Sequence, residues 1–475
     1  MSNQKELTTL ALALLITGSL LGVGYWFFTR SNNINLSPTA VEGSSSSQTS
    51  RSIPSVESLI SQGEKSLISQ SNSSEKQSGL TALASGKYQE AVRNFEASLQ
   101  TNPNDPETLI YLNNARIGNK KAYTIAVAVP VGDPNSLGTG EAMLRGVAQA
   151  QNEINQRGGI SRIPLRVVIA DDQNNTETAQ KIAEELVKNN EILGVVGHYS
   201  SGVSLAAAPI YEQGKLMAIS PISTSVKLST AGDYIFRTVP SDRFAANQLV
   251  KYMVGELNQQ KAVIFYNSQS AYSQSLKDEF TTALYGDGGE VVDVFDLSYS
   301  DFNAFKSLDA AFQQGVEVIV LLPDSSTVEK ALQVVRVNRK QLPILAGDDF
   351  YTVDTLKVGG DSEGVVVAVP WHILAHPNSR FTQEATELWR GDVNWRTVMA
   401  YDATQALITG IQEQPSRSGV QQVLSASNFS AEGATSVIKF LPSGDRNQAV
   451  QLVEVQPGNP SAARSGVGYD FVPLP

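Results

Sequence analysis

From Tyr123 onward the chain alternates short apolar runs with longer stretches whose apolar residues recur every three or four positions. The runs predict strands at Tyr123–Val129, Leu165–Ala170, Ile192–Val196, Leu216–Ile219, Ala262–Tyr266, Val291–Leu297, Val316–Leu322, Pro343–Ala346 and Val365–Val369. Several are unbroken Val, Ile and Leu rather than alternating, as in strands covered by helices on both faces of a parallel sheet. The stripes between them predict helices. Met143, Val147, Ala150 and Ile154 share one face, and Gly158-Gly159 ends that helix. Ala179, Ile182, Ala183, Leu186 and Val187 mark another, opened by Asn174 with Glu177. Strand and helix in alternation imply an α/β fold. About 340 residues exceed one comfortable core, so two similar lobes are expected. The chain should pass between them near Thr238–Arg243 and return near Pro370.

Upstream of Tyr123 the pattern changes. Within residues 1–30, Leu7–Phe28 is uncharged and apolar between Lys5 and Arg30, long enough to span a bilayer, and Tyr25–Phe28 reads as an interfacial aromatic belt. No small-residue cleavage site precedes Arg30, which favours a signal anchor over a cleaved signal peptide. Residues 31–74 are rich in Ser, Asn and Gln, including Ser44–Ser47, and are expected to be a flexible spacer. Residues 75–120 resemble a tetratricopeptide repeat: Gly86, Tyr88, Ala91, Phe95, Ala97 and Pro103 fall on its small, aromatic and proline positions. Leu109, Tyr111, Leu112 and Ala115 would start a further helix. Only about one and a half repeats are present, too few for a free solenoid, so a short α-hairpin packed on a neighbouring domain or a partner is expected.

Composition narrows the chemistry. The 475 residues carry a formal net charge of −11 with no basic stripe, which argues against a nucleic-acid partner. The absence of cysteine removes disulfides, thiol nucleophiles, Cys–zinc sites and the lipidated cysteine of a lipoprotein. Gly138-Thr-Gly140 suggests a dinucleotide loop, but Met143 stands where the third glycine would be and Asp171-Asp172 lies too far on. His372 and His376 have H-x3-H spacing with no acidic residue between them and Pro377 behind, a poor zinc site. No nucleophile elbow or P-loop is present, and His198 beside Ser201 reads as a buried, satisfied histidine rather than part of a triad. Nothing argues for an enzyme, a cofactor or a metal.

The strand ends are more informative. They present His198-Tyr-Ser-Ser201, Ser220-Pro-Ile-Ser-Thr224, Asn267–Tyr272, Pro323-Asp-Ser325 and Gly347-Asp-Asp349, where open parallel sheets hold ligands. Ser201, placed as N-cap of the Gly202–Tyr211 segment, suits a carboxylate together with Thr224. An ammonium would take Asp349.

Residues Tyr123 to Gly458 resemble the leucine/isoleucine/valine-binding family of periplasmic solute-binding proteins, receptors of amino-acid ABC transporters. The matching stretches are Gly146 with Ala150, Ile154-Asn155 and Gly158-Gly159-Ile160; Asp171-Asp172; Gly197–Ser201; Ser220-Pro221 with Thr224; Phe236-Arg237-Thr238 with Pro240-Ser-Asp242; Tyr401-Asp402-Ala403; and Gly444-Asp445-Arg446. The resemblance implies a periplasmic-binding-protein type I fold: two doubly wound lobes, an interlobe cleft and three crossovers. Lobe I would hold about 121–240 and 371–433, and lobe II about 241–370 and 434–458, the third crossover lying near Ala434 before Ser436–Phe440. It implies a ligand α-carboxylate held by Ser201 and Thr224, and an α-ammonium held by the Ile222 carbonyl and Asp349, with Asp348 a rival. Ser220 belongs to the same loop. Tyr199 and Leu137 would line the side-chain pocket, and Tyr272 would be a second-lobe wall. The tyrosine that often covers the ligand would fall near Asp324 or Ser325 and is absent. The implied protein is an extracytoplasmic receptor, anchored to the inner membrane by residues 7–28, that carries a small neutral amino acid to an ABC importer's membrane subunits. The alternatives are a membrane-anchored sensor or scaffold using the same domain, and a receptor for amides or urea.

Overall fold

The computed structural model describes residues 55–69, 73–458 and 464–475. The expected span Leu7–Phe28 lies outside them, and no helix among the described residues is long and apolar enough to cross a membrane.

Two sheets organise the chain. The first contains β1 (Ile60–Ser61), β2 (Tyr123–Val129), β3 (Leu165–Asp171), β4 (Ile192–Val196), β5 (Ala218–Ser220) and β6 (Ile235–Arg237), in the order β1-β3-β2-β4-β5-β6. All neighbours are parallel except β1 on β3. The second contains β7 (Lys261–Tyr266), β8 (Glu290–Asp296), β9 (Val318–Leu322), β10 (Ile344–Ala346) and β11 (Val366–Val369). A small ribbon, β12 (Ala431–Glu432) with β13 (Val437–Ile438), precedes β14 (Gln451–Pro457) and β15 (Tyr469–Pro473). The last two add antiparallel to β11, giving β15-β14-β11-β10-β9-β7-β8. The unbroken apolar runs are the central strands: Val318 to Leu322 are all 0% exposed.

Both parallel cores have the same winding. The first strand of each, β2 or β7, lies between the second and the third, so strand order reverses once in each lobe. The crevice at such a reversal, beyond the carboxyl ends of the strands, is where open α/β sheets bind ligands. In lobe I it lies beyond β2 and β4, and in lobe II beyond β7 and β9. The helix Trp395–Glu413 returns to lobe I and packs on Leu137–Gln156 so closely that a Cβ on Gly146 would sit 2.2 Å from the Thr397 carbonyl oxygen. Glycine is required there by backbone contact. The cap of Thr176–Lys188 is Asn175, whose side chain accepts from Thr178 N, rather than Asn174. Asn174 occupies the left-handed region at φ 51°, which asparagine tolerates and a cap does not use.

The first and third crossings are rooted by buried ion pairs. Arg237 Nε lies 2.6 Å from Asp445 Oδ1, and Arg446 Nη1 lies 3.1 Å from Asp402 Oδ2. The third crossing begins after Arg446, later than the Ala434 boundary expected from the sequence. Ala431–Glu432 and Val437–Ile438 pair with each other, Phe440 bridges Arg446, and the Gly444 carbonyl accepts from Arg237 N. Backbone pairing thus keeps the chain on lobe I for about another turn of loop.

The spacer expectation also needs correction. Val56–Leu59 is a 3-10 turn, and Ile60 and Ser61 pair with Ala170 and Ile169. Average composition hides two apolar doublets, Leu59-Ile60 and Leu67-Ile68, of which Leu59 and Ile68 are buried. Three helices follow, Ser74–Ala84, Tyr88–Thr101 and Pro106–Ile117. The last is almost wholly buried and fused to lobe I. Asn114 Nδ2 donates to the Val167 carbonyl at 2.8 Å, and its Oδ1 accepts from Val167 N at 3.2 Å and from Gln151 Nε2 at 3.0 Å. One side chain therefore continues the edge of β3 beyond the two residues that β1 pairs. Asn114→Ala strands these buried groups and should cost about 1–3 kcal/mol of stability. Urea unfolding of the full chain measures this, and an unchanged midpoint would show that the helical segment does not brace the sheet.

Candidate functional site

The two crevices face each other across a cavity of about 220 Å³. Lobe I contributes Asn174 and Thr176 beyond β3, Tyr199 to Val203 beyond β4, and Ile222 beyond β5. Lobe II contributes Gln269 to Tyr272 beyond β7, Asp324 and Ser325 beyond β9, and Asp348 with Asp349 beyond β10.

The lobe I wall is a helix N-terminus. The helix Ser201–Gln213 starts at Ser201 itself, with Ser200 as a cap that makes no side-chain bond, so Ser201 is the first helical residue rather than the N-cap. The opening N–H groups of a helix have no intrahelical partner and carry about half a positive charge. A Cβ on Gly202 would meet nothing within 4 Å, so solute can approach this terminus closely. Ser201 Oγ accepts from Ser225 N at 3.2 Å, which leaves its own hydrogen to donate. That surface suits an anion.

The lobe II wall is acidic. Asp348 is 9% exposed, and the Asp349 side chain is 12% exposed. Burial pushes Asp349 up to about 7, with the Asp348 charge adding to the shift and the Arg396 guanidinium opposing it. Burial likewise lifts Asp348 to about 6 against the Tyr272 hydroxyl. The lobes already touch through this pair. Tyr199 OH donates to both Asp349 oxygens at 3.3 Å, and Arg396 Nη2, on lobe I, lies 3.5 Å from Asp349 Oδ1. Arg396 also donates to the carbonyls of Asp348 and Tyr351 at 3.2 and 3.3 Å.

Five of the eight residues expected from the sequence line this cavity: Ser201, Ile222, Tyr199, Tyr272 and Asp349; the rival Asp348 lines it too. Three do not. Ser220 Oγ donates to the His198 carbonyl at 2.7 Å and accepts from Ser223 N at 2.9 Å and Ile222 N at 3.3 Å, so it ties the loop rather than facing solute. Leu137 begins its helix and is half-buried against the core. The Thr224 hydroxyl is buried without a hydrogen-bond partner, close to Asp242 and outside the cavity lining. His198 is 1% exposed, with Nδ1 2.6 Å from Asp172 and Nε2 3.0 Å from Tyr211 OH. His372 packs edge-on to Tyr351, and His376 stacks on Trp371. Asp171 accepts from Gly132 N at 2.8 Å and holds the loop after β2.

Arg396 carried no signal in the sequence, because it sits on the returning helix and not at a strand end. A larger cavity of about 450 Å³ opens beside it, walled by Tyr351, Leu356, Ile373, Val393 and Phe471. Arg396 lines that space and so stands between it and Asp349. Its wall also includes Asn135, Gly138 and Thr139, in the loop and helix start that follow β2.

The family model described as periplasmic binding protein matches residues 122–460. The leucine-specific-binding protein of Salmonella typhimurium is 26% identical over 303 residues, covering 63% of this chain and 80% of that protein. Among solved structures, a leucine-binding protein from Thermotoga maritima aligns with a TM-score of 0.64 at 21% identity, covering 74% of this chain and 97% of the other. A solute-binding protein of an ABC transporter from Rhodopseudomonas palustris, in complex with p-hydroxybenzoic acid, aligns with a TM-score of 0.65 at 16% identity, covering 74% and 96%. The structural likenesses show the fold, and the solutes that their names print, leucine and p-hydroxybenzoic acid, differ in class.

Ser220→Ala would strand two loop N–H groups and leave the His198 carbonyl only a 3.5 Å bond from Ser223 Oγ. It should cost about 1–3 kcal/mol of stability, read by urea unfolding. An unchanged stability would contradict the structural role given to Ser220.

Proposed function

The chain belongs to the periplasmic binding protein family, and on that premise we propose that it captures a free amino acid between its lobes and presents the closed form to the membrane subunits of an ABC importer. Family membership makes it a solute-binding protein rather than an enzyme. The reading rests on one observation: a helix N-terminus at Ser201 to Val203 faces the Asp348–Asp349 pair across a single small cavity. Opposed anion and cation sites fit a zwitterion. The α-carboxylate would lie on the Ser201 hydroxyl and the helix N–H groups, and the α-ammonium on the acidic pair with the Ile222 carbonyl. The names of relatives, such as the leucine-specific-binding protein, support the same class. Solute that bridges the lobes favours closure, since it binds the closed form better than the open one.

The proposal extends to the flanking segments. Residues 7–28 would tether the receptor to the inner membrane with its lobes outside the cytoplasm. The helices within 75–120 would be a tetratricopeptide-like unit recruited to brace lobe I, in keeping with their burial against it.

Charge-assisted hydrogen bonds contribute about 1.5–3 kcal/mol each, so Asp349→Ala should weaken amino-acid binding by about tenfold or more. The acidic pair must be ionised to hold an ammonium. Its carboxyls, raised by burial to about 6 and about 7, carry protons at low pH that binding must release. Affinity should therefore rise as pH increases through about 5 to 8 and then level off. Calorimetry of the full chain with each common amino acid, urea and short amides tests both points. Undiminished affinity in Asp349→Ala, affinity that falls with pH, or a response to amides alone would overturn the proposal.

A further inference from the structure

The cavity's own chemistry narrows the solute further, on the premise that it is an amino acid. Ligand pockets are lined mostly by apolar and aromatic groups, yet here the aliphatic wall amounts to Val203, Ile222 and Ala271. A branched aliphatic side chain would find little to pack against. Three carboxylates line the same space, Asp324, Asp348 and Asp349, and no lysine or arginine is among the lining residues. Arg396 reaches one of them, Asp349. No ion pair among the described residues includes Asp324 or Asp348.

Asp324 is held ready for a partner. Its Oδ1 accepts from Asn267 Nδ2 at 2.9 Å, Ser326 Oγ at 2.7 Å and Thr327 Oγ1 at 2.8 Å. Three donors on one oxygen fix the plane of the carboxylate, while Oδ2 accepts no hydrogen bond among the described residues. The charge is felt across the cavity, because Asp324 helps to hold the protons of Asp349 and Tyr199. The count of charges is then decisive. Once Asp348 and Asp349 have lost their protons, Arg396 answers one of three carboxylates and an α-ammonium answers a second. The third would be enclosed by lobe closure without a counter-charge, an arrangement that is costly in a desolvated site. A neutral side chain leaves that charge in place, and a cationic one removes the cost.

We propose that the solute is a cationic amino acid whose side-chain ammonium or guanidinium binds Asp324. Its carboxylate lies at the Ser201 helix terminus, and its α-ammonium lies at Asp348 and Asp349. This replaces the neutral solute expected from the resemblance, which gave no weight to Asp324 standing where a covering tyrosine is usual. Asp324 is a specificity residue here, since it touches only the side-chain end of the solute.

Lysine and norleucine have side chains of equal length and differ by an ammonium in place of a methyl, so they isolate this contact. Calorimetry on the full chain should show lysine binding about tenfold or more tighter than norleucine. Asp324→Asn retains an oxygen acceptor for Asn267, Ser326 and Thr327. It should abolish the preference for lysine, weakening lysine while sparing norleucine the enclosed charge, with thermal unfolding as the check on folding. Asp324→Glu, which keeps the charge, should retain the preference for lysine. Norleucine or leucine binding as tightly as lysine would overturn this inference while leaving an amino-acid receptor intact, as would a lysine preference that survives Asp324→Asn. No binding by any amino acid would overturn the underlying function as well.

Discussion

Asp348 and Asp349 are adjacent carboxylates, both largely buried at one wall of the interlobe cavity, and much of the site is arranged around that placement of negative charge. Burial disfavours ionisation of both carboxyls, and the Asp348 charge adds to the shift at Asp349, so both are lifted above the ordinary range. Arg396 and the Tyr199 hydroxyl reach across from lobe I and offset part of the cost. The same contacts hold the lobes together. Solute that supplies a cation in this place joins an interlobe bridge that the protein already makes in part, so binding and closure draw on the same electrostatic interaction.

For closure to be an ordered motion, the crossings must be anchored where they leave each lobe. Arg237 with Asp445, and Asp402 with Arg446, are buried pairs that join the ends of the first and third crossings and the returning helix. Thr238 Oγ1 donates to the Met399 carbonyl, and Gln448 Nε2 donates to the Pro370 carbonyl, so all three crossings are tied to their neighbours. Removing one member of such a pair leaves an uncompensated buried charge, a loss of about 3–5 kcal/mol. The stretches around Arg237, Asp402 and Asp445-Arg446 stood out in the sequence without a stated role. In the structure they are partners at the hinge.

The central sheets were legible because burial on both faces writes itself as apolar runs, unbroken Val, Ile and Leu in β9 and with Ala or Gly among them in β2 and β4. The edges were not. β1 has two residues and β6 has three, and their partners, not their own pattern, make them strands. The lobe II half of the site was partly legible because acidic and hydroxyl residues cluster where strands end. Which way a side chain turns was not: Ser220 and Thr224 lie in the same loop as Ile222, yet their hydroxyls serve the loop or face the interior. Arg396 enters from a helix more than 40 residues along the chain from the carboxylate it meets, 396 against 349, and no local pattern marks it.

The most direct measurement is a crystal structure of the full chain with bound amino acid. The account predicts that the α-carboxylate lies on the Ser201 helix terminus and that the α-ammonium is within hydrogen-bond distance of Asp348 or Asp349, with both lobes in contact. An amino acid bound in the larger cavity beside Tyr351 and Phe471, or bound with its ammonium turned away from the acidic pair, would contradict it.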